Sequence, residues 1–278
     1  MLRYYDIAAV HCTPNAPDLV MDVAELKSSI GIESRQLQSL SCSYEEGCLG
    51  TDAKYQMWWP DMFNRTLLRF TASFWNRGTS AFRPNRGKGQ WEWHYCHQHF
   101  HSMERFADYD ITDANGDRVA EGHKASFCIE DYECEKGMQK KYQCANHGDQ
   151  GMQVNCADTY RHHLDCQWVD ITKLPSGEYT LRVVLNPQNL VYETDYSNNI
   201  ASCDIQYNQK EKAVTVGSCR FHPCEKMSWG GVGGGSCCKF PFTYKGKQYH
   251  SCTHDGPNGL LWCATTSNFD KDGLWGRC

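Results

Sequence analysis

The chain has 278 residues, 17 of them cysteine, and a formal net charge of -5 at pH 7. This length holds one large domain or a medium and a small one, and we expect two domains. The acidic balance, without any basic cluster, argues against a nucleic-acid-binding protein.

The cysteine content predicts the compartment. So many cysteines, without CxxC pairs of the zinc-ribbon kind, indicate an oxidised, extracellular protein held together by disulfides. No run approaches the ~18 apolar residues of a membrane span, and residues 1–12 lack the pattern of a signal peptide. We therefore expect that a signal has been removed or that the chain is a fragment. The sequon at Asn64 fits a glycosylated, secreted protein.

The first 220 residues predict a mainly β structure. Residues 22–30 (DVAELKSSI) have the best helical periodicity. The segments with the composition of strands are residues 67–75 (LLRFTASFW), 179–185 (YTLRVVL) and 200–207 (IASCDIQY). This pattern favours an all-β, disulfide-stapled β-sandwich with long loops. The longest loop, within residues 129–165, contains three cysteines, so we expect disulfides to replace a core there.

Residues 91–103, WEWHYCHQHFHSM, contain three histidines at strict alternation. Side chains at i, i+2 and i+4 of a strand project from one face, so His97, His99 and His101 can bind one metal ion. Imidazole suits copper, zinc, iron and nickel, and the spacing alone does not name the metal. His94 has an odd offset and would point to the other face of a regular strand. The alternative is a half-exposed strand that carries histidines by chance.

The composition changes at residues 226–236 (KMSWGGVGGGS), a glycine-rich run typical of a flexible linker. The segment after it has four regularly placed cysteines and many aromatic residues, and it is too short to fold on apolar burial alone. We therefore predict a small, two-disulfide β module. The predicted division is a large domain at 1–223, a linker at 224–236 and the module at 237–278.

Five motifs together resemble a known family. They are WEWHYCHQHFHSM, GHKASFC (residues 122–128), DTY (158–160), DCQWVDIT (165–172) and ETDYSNN (193–199). Their order and separations resemble the lysyl oxidase catalytic domain, over roughly residues 15–219. The tail, CKFPFTYKGKQYHSC with LWCATTSNFDKDGLWGRC, resembles a fibronectin type II module over residues 238–278. The familiar lysyl oxidases end near the point where this module begins.

The resemblance implies a secreted enzyme of the extracellular matrix, a protein-lysine 6-oxidase. Such an enzyme oxidises peptidyl lysine of collagen or elastin to the aldehyde, releases ammonia and hydrogen peroxide, and so initiates cross-linking. The resemblance makes His97, His99 and His101 the copper(II) ligands, and Lys124 and Tyr160 the precursors of a lysine tyrosylquinone cofactor. Because free lysine titrates near ~10.4, a desolvated setting or a nearby metal charge has to lower the pKa of Lys124 before it can react.

The resemblance also implies His123 as a fourth ligand in an immature or zinc-loaded form. Lys124 and Tyr160 would then be too far apart to react, so we expect cofactor formation to require rearrangement of the loop between them. The general base cannot be assigned from the sequence, although Asp158 is a carboxylate close to the cofactor tyrosine in the chain.

A calcium site is the last ligand set that the resemblance implies. Its oxygen ligands are of the hard kind that calcium prefers: Asp18, the Leu19 carbonyl, Glu193, Asp195, Asn198 and Asn199. Without the resemblance, ETDYSNN would be interpreted as a turn between two strands.

Matching positions in the two families imply seven disulfides. They are Cys42–Cys96, Cys48–Cys166, Cys128–Cys144, Cys134–Cys156, Cys203–Cys219, Cys238–Cys263 and Cys252–Cys278. Cys224 and Cys237 could pair across the linker, which leaves Cys12 unmatched.

Fibronectin type II modules commonly bind gelatin and unfolded collagen through aromatic side chains, so we expect this module to dock the oxidase on collagen. The candidates, most of which must also form the core of the module, are Phe240, Phe242, Tyr244, Tyr249, Trp262, Phe269 and Trp275. Two alternatives remain. A zinc hydrolase would use the three histidines to activate water, but it leaves Lys124 and Tyr160 unexplained. A collagen-binding matrix protein would carry an oxidase domain that never matures.

Overall fold

The computed structural model describes residues 15–103, 106–124, 128–221, 226, 228, 230–232, 237–256 and 259–278. For Glu121, His123 and Lys124 it describes the backbone alone. Most of the predicted linker, together with Cys12 and Cys224, lies outside the described residues, so the linker and the pairing of these cysteines stay predictions.

Strands dominate the described chain, which confirms the all-β prediction. In chain order they are β1 (Leu19–Met21), β2 (Gly31–Gln36), β3 (Asn64–Arg69), β4 (Ala72–Asn76), β5 (Glu92–His94), β6 (His99–His101), β7 (Ala107–Thr112), β8 (Arg118–Lys124), β9 (Glu133–Cys134), β10 (Cys156–Tyr160), β11 (Trp168–Asp170), β12 (Gly177–Leu185), β13 (Ile200–Asn208), β14 (Ala213–Phe221), β15 (Phe242–Tyr244), β16 (Lys247–Tyr249), β17 (Trp262–Ala264) and β18 (Trp275–Arg277).

The helices are short. They are α1 (Val23–Ser29), α2 (Ser41–Glu45), α3 (Ala53–Gln56) and α4 (Phe269–Asp272), with 3-10 turns at Leu37–Leu40, Pro60–Met62, Lys88–Gln90 and Ala145–His147. The helix predicted over residues 22–30 is confirmed as α1. It begins after Asp22, whose carboxylate accepts the N–H of Glu25 at 2.9 Å, and it buries Leu26 against the core.

Three antiparallel sheets surround the main core. A four-stranded sheet has the order β1-β4-β10-β9, a five-stranded sheet the order β14-β13-β12-β7-β8, and a three-stranded sheet the order β11-β3-β2. Phe74 of β4 packs in one cluster with Tyr109, Val183 and Ile205 of the five-stranded sheet. This burial of apolar side chains between sheets is the main force that holds the large domain together.

The sequence predicted one continuous strand over residues 67–75, but the structure has two strands there. The chain leaves β3 at Arg69 and enters β4 at Ala72, so the segment contributes to two different sheets. Between them, Thr71 donates its N–H to the Ser29 hydroxyl at 2.8 Å instead of to a neighbouring strand. The strands predicted at 179–185 and 200–207 are confirmed as β12 and β13, which pair along their length.

All seven disulfides implied by the two families are confirmed. Two of them, Cys128–Cys144 and Cys134–Cys156, close the long loop before β10, as expected. Cys237 is also disulfide-bonded, but Cys224, its predicted partner, lies outside the described part of the chain.

The C-terminal module consists of two hairpins, β15–β16 and β17–β18, around a small aromatic core. It contacts the five-stranded sheet at the turn between β7 and β8. There the Asp117 carboxylate accepts hydrogen bonds from the Ser267 hydroxyl at 2.9 Å and from the Lys271 ammonium at 3.1 Å. Cys237 packs against Val184 and Ile200 of the same sheet. None of the described helices has the length and apolar character needed to cross a membrane.

Candidate metal and cofactor site

The histidine-rich segment forms a hairpin in place of the single regular strand that its alternation predicted. His94 ends β5, His99 begins β6, and His97 lies in the turn between them. The turn is closed by the N–H of Gln98, which donates to the His94 carbonyl at 2.8 Å, and Gln98 has a positive φ of 58°. The Cys42–Cys96 disulfide ties this turn to α2.

The three predicted metal ligands nevertheless converge. His97 Nδ1 lies 3.1 Å from His101 Nε2, which in turn lies 3.2 Å from His99 Nε2. These separations are close to the edge of about 3.3 Å in a tetrahedron with metal–nitrogen bonds of about 2.0 Å. Nitrogens of His97 and His99 thus both lie close to His101 Nε2, and this set of imidazole donors fits copper(II) or zinc(II).

The offset of His94 predicted that its side chain would point away from the other histidines. This prediction is wrong. Its ring stacks on the rings of His97 and His101, with centroids 4.3 and 4.4 Å apart. The reason is that the turn interrupts the strand after His94, so the alternation of faces does not continue through His97. His94, His97 and His101 thus lie together as a group of possible ligands.

Glu46, which the sequence analysis missed, lies against this cluster. One of its carboxylate oxygens is 3.4 Å from His94 Nε2 and 3.3 Å from His97 Nε2, and its side chain is only 5 % exposed. Glu46 is distant from the histidines in the sequence, but Cys42 and Cys48 flank it. The implied pairing of Cys42 with Cys96 was the signal that could have placed this carboxylate near the histidines.

Tyr160 ends β10 and is buried beneath the same region. Its ring stacks on Phe74 with a centroid separation of 5.9 Å, and its hydroxyl donates to the Cys128 carbonyl. The Asp158 Oδ2 atom lies 3.1 Å from the same hydroxyl. Burial, together with the neighbouring carboxylate of Asp158, holds the pKa of Tyr160 well above its usual value.

Asp158 is buried, and burial raises the pKa of its carboxyl group to about 7, although the backbone N–H groups of Glu130 and Thr159 donate to it. A carboxyl group with this pKa can accept or release a proton near neutral pH. The sequence could name Asp158 only by its proximity in the chain. The structure adds the contact with Tyr160.

One cavity joins the histidines to the tyrosine. It has a volume of about 290 Å³, and its lining includes His97, His99 and His101 together with Asp158 and Tyr160. Lys124 ends β8, where its backbone pairs with Ala107. The side chains of Lys124 and His123 lie outside the described residues, so their predicted roles stay predictions.

The loop that carries Cys128 is organised by a buried carboxylate. Asp131 accepts hydrogen bonds from the backbone N–H groups of Lys141, Tyr142 and Gln153, and from the Gln153 side chain, all within 3.0 Å. These bonds connect distant parts of the loop and so help to hold the Cys128 carbonyl at Tyr160.

The residues predicted to bind calcium also come together, beside β1. Glu193 is buried and accepts the N–H of Leu19 at 2.7 Å, while Asn198 donates to Asp18 at 3.0 Å. Burial raises the pKa of Glu193 to about 7, and burial together with the charge of Asp195 raises the pKa of Asp18.

Two amide oxygens in this cluster, Asn198 Oδ1 and Asn199 Oδ1, are buried without a hydrogen-bond donor among the described residues. A cation would satisfy these oxygens and favour the ionised form of the two carboxylates. The donor set therefore fits a calcium ion.

The module has a separate, apolar cavity of about 80 Å³. Its lining consists of Tyr244, Leu260, Trp262, Phe269 and Trp275. Trp262 is buried, whereas Phe269 and Trp275 are half-buried, so the aromatic candidates divide between core and accessible surface.

A family model described as lysyl oxidase matches residues 17–219. The chain belongs to the lysyl oxidase family. A fibronectin type II domain model matches residues 238–278, so the chain combines the two domain types that its motifs resemble. Both are extracellular types, and family membership supports a lysyl oxidase-like function for residues 17–219.

Its relatives include lysyl oxidase homolog 4 of Mus musculus, with 49% identity over 201 residues, and lysyl oxidase homolog 2 of Homo sapiens, with 50% identity over 201 residues. Each alignment covers 72% of this chain and 26% of the relative. The chain therefore spans about a quarter of the length of the curated relatives that it matches.

Proposed function

We propose that the protein is a secreted, copper- and quinone-dependent amine oxidase of the extracellular matrix. It oxidises peptidyl lysine of collagen- or elastin-type proteins to the aldehyde and releases ammonia and hydrogen peroxide. The observation that carries the proposal is the shared cavity, in which three convergent imidazoles face the same space as Tyr160 and Asp158.

His97, His99 and His101 would hold copper, with His123 as a further ligand in the immature protein, and Lys124 and Tyr160 would form lysine tyrosylquinone. When bound, copper and the quinone supply the oxidation of a primary amine and the return of electrons to dioxygen. Phe74 orients the Tyr160 ring by stacking, and the Cys128 carbonyl fixes its hydroxyl. Asp158 is positioned to take the hydroxyl proton of Tyr160.

The rival function as a zinc hydrolase requires only the histidines and a water molecule. It gives no role to a buried tyrosine whose hydroxyl contacts a carboxyl group with a pKa of about 7. The oxidase uses all of these groups, and for this reason we favour it.

The proposed calcium site is structural. Asp18, the Leu19 carbonyl, Glu193, Asp195, Asn198 and Asn199 would bind the ion at the end of the sheet that carries Tyr160. The support for this site is the pair of buried amide oxygens that have no donor among the described residues, beside the buried Glu193 and the half-buried Asp18.

The module would bind collagen or gelatin and raise the local concentration of substrate lysines at the oxidase site. The small apolar cavity at Trp262 supports this role. The same cavity favours the second candidate, a collagen-binding matrix protein whose oxidase domain does not mature.

Peptide mass mapping after aerobic expression with copper tests the proposal. We expect a covalent link between the peptides that contain Lys124 and Tyr160, and no link in a Tyr160→Phe variant. If the Lys124 and Tyr160 peptides are not linked although the copper site is full, the result would contradict the amine oxidase function. It would favour the collagen-binding matrix protein whose oxidase domain does not mature.

A further inference from the structure

We propose that Glu46 is a positioning residue of the copper site, where its carboxylate accepts the Nε2–H of His97 and so presents Nδ1 of that ring to the metal. The inference rests on the proposed copper site. It adds a group outside the histidine-rich segment that determines which nitrogen of His97 binds the metal.

The orientation of the His97 ring leads to this assignment. Its Nδ1 atom faces His101 Nε2 at 3.1 Å, and its Nε2 atom lies 3.3 Å from Glu46 Oε1, an ion-pair contact that falls just short of hydrogen-bond geometry. A neutral imidazole has one N–H and one lone pair, so a ring that binds a metal through Nδ1 carries its proton on Nε2. That N–H is buried and needs an acceptor, and a carboxylate oxygen of Glu46 lies close enough to become one when copper fixes the ring.

Glu46 is held in this place by covalent bonds on either side. It caps the C-terminus of α2, where its N–H donates to the Cys42 carbonyl at 2.9 Å. Cys42 is bonded to Cys96, the residue before His97, and Cys48 is bonded to Cys166. The disulfide therefore connects the segment that supplies the carboxylate directly to the turn that supplies the imidazole.

His94 has a second positioning role. Its Nδ1 atom accepts the backbone N–H of His97 at 3.4 Å, and its Nε2 atom lies 3.4 Å from Glu46. Both nitrogens are thus directed at protein groups, while its ring stacks on His97 and His101. We therefore assign His94 to the support of the two ligand rings, and leave coordination to His97, His99 and His101.

The test uses the full chain loaded with copper(II) alone, in wild type and in the variants Glu46→Gln and Glu46→Leu. Glu45→Gln is the matched control, because Glu45 is the preceding residue and its side chain is exposed. Copper affinity is measured by competition with a chelator. Pulsed EPR measures the quadrupole coupling of the remote imidazole nitrogens, which responds to the hydrogen bonds that these nitrogens donate.

We expect Glu46→Leu to weaken copper binding about tenfold to a hundredfold, as for other partners of metal-bound histidines. Glu46→Gln retains a neutral acceptor, so it should lose less affinity but still change the coupling of one remote nitrogen. Glu45→Gln should change neither quantity. If Glu46→Leu does not fold, the quadrupole coupling of the remote imidazole nitrogen in Glu46→Gln decides whether Glu46 has this role.

Wild-type affinity and an unchanged remote-nitrogen signal in Glu46→Gln would overturn the role of Glu46 and leave the copper site intact. A wild-type protein that binds no copper would overturn the proposed function and this inference together. The two failures are therefore distinguishable.

Discussion

The Asp158 Oδ2 atom lies 3.1 Å from the hydroxyl oxygen of Tyr160, and both side chains are buried. The hydroxyl has a single proton, for which the Cys128 carbonyl is a second acceptor. Ionised Asp158 therefore competes with Cys128 for this proton, whereas neutral Asp158 can donate its own proton to the tyrosine oxygen. The protonation state of one carboxyl group thus determines the hydrogen bonding of the proposed cofactor precursor.

Asp158→Asn should slow the formation of the quinone after copper addition by about a hundredfold, because the amide cannot accept the proton of Tyr160 as a base. The measurement is the time course of labelling by a hydrazine probe that reacts with the quinone. Asp149→Asn, which alters only an exposed ion pair with Arg83, serves as control and should label at the wild-type rate. Equal rates in all three proteins would exclude Asp158 as the proton acceptor.

The raised pKa of Asp158 also predicts how stability depends on pH. The pKa is about 7 in the folded protein and 3.8 for an unperturbed aspartate, so between these pH values the folded protein binds a proton that the unfolded chain has lost. The contribution of this group to the free energy of unfolding is complete below pH ~4 and is lost as the pH rises through about 7.

Urea unfolding at pH 5 and pH 8 in calcium-free buffer measures this effect. We expect wild type to lose on the order of 2 kcal/mol more stability than Asp158→Asn between these two pH values, since each pKa unit corresponds to about 1.36 kcal/mol. The same loss in both proteins would argue against a neutral Asp158 in the folded state.

Calcium should raise the melting temperature of wild type but have little effect on Glu193→Gln. At a hundredfold excess over Kd the stabilisation is about 2.7 kcal/mol. Because the pKa of Glu193 is about 7, calcium has to displace a proton at lower pH, and its effect should be smaller at pH 6 than at pH 8. Differential scanning fluorimetry checks both expectations, with the exposed Glu211→Gln as control. An equal response of the Glu193 variant would exclude this cluster as the site.

Two disulfides of equal sequence separation can be compared to distinguish an effect on overall stability from an effect on the geometry at Tyr160. Cys128–Cys144 and Cys203–Cys219 both have a sequence separation of 16, so removal of either should release a similar constraint on the unfolded chain, about 3 kcal/mol. Only the first holds the Cys128 carbonyl at Tyr160. Replacing each pair by serines should lower the unfolding free energy similarly, but only the loss of Cys128–Cys144 should also reduce quinone formation. Equal quinone yields in the two folded variants would contradict this role of the loop.

Adjacent leucines in the module provide a test of collagen binding. Leu260 lines the apolar cavity at Trp262, whereas Leu261 is 42% exposed and is not among the lining residues. Leu260→Ser should weaken binding to immobilised gelatin and lower the oxidation rate of collagen, but spare a small amine substrate. Leu261→Ser should leave all three readouts near wild type. A parallel loss on collagen and the small amine would indicate damage to the oxidase domain.

The sequence predicts the residue types of the site better than their arrangement. Alternation predicts that His97, His99 and His101 share one face of a strand, whereas the structure brings them together through a turn at His97 in which Gln98 has a positive φ and which the Cys42–Cys96 disulfide ties to a distant segment. The role of Glu46 depends on a disulfide between distant segments, and the split of residues 67–75 depends on the hydrogen bond of Thr71 with Ser29.

The disulfide pairings followed from the family resemblance, because spacing alone leaves the connectivity open. The burial of Asp158 and Glu193 could not be predicted from the sequence either. The pKa values of Asp158 and Glu193 arise from desolvation in the folded chain, for which the local sequence gives no measure.

Strand β1 pairs with β4, whose other neighbour is the Tyr160-bearing strand β10, and β1 begins directly after Asp18. A cut beyond Met21 would remove Asp18 and Leu19, and would uncover the backbone of β4 one strand away from Tyr160. Proteolytic cleavage within or just beyond β1 should therefore perturb both the sheet that carries Tyr160 and the proposed calcium site.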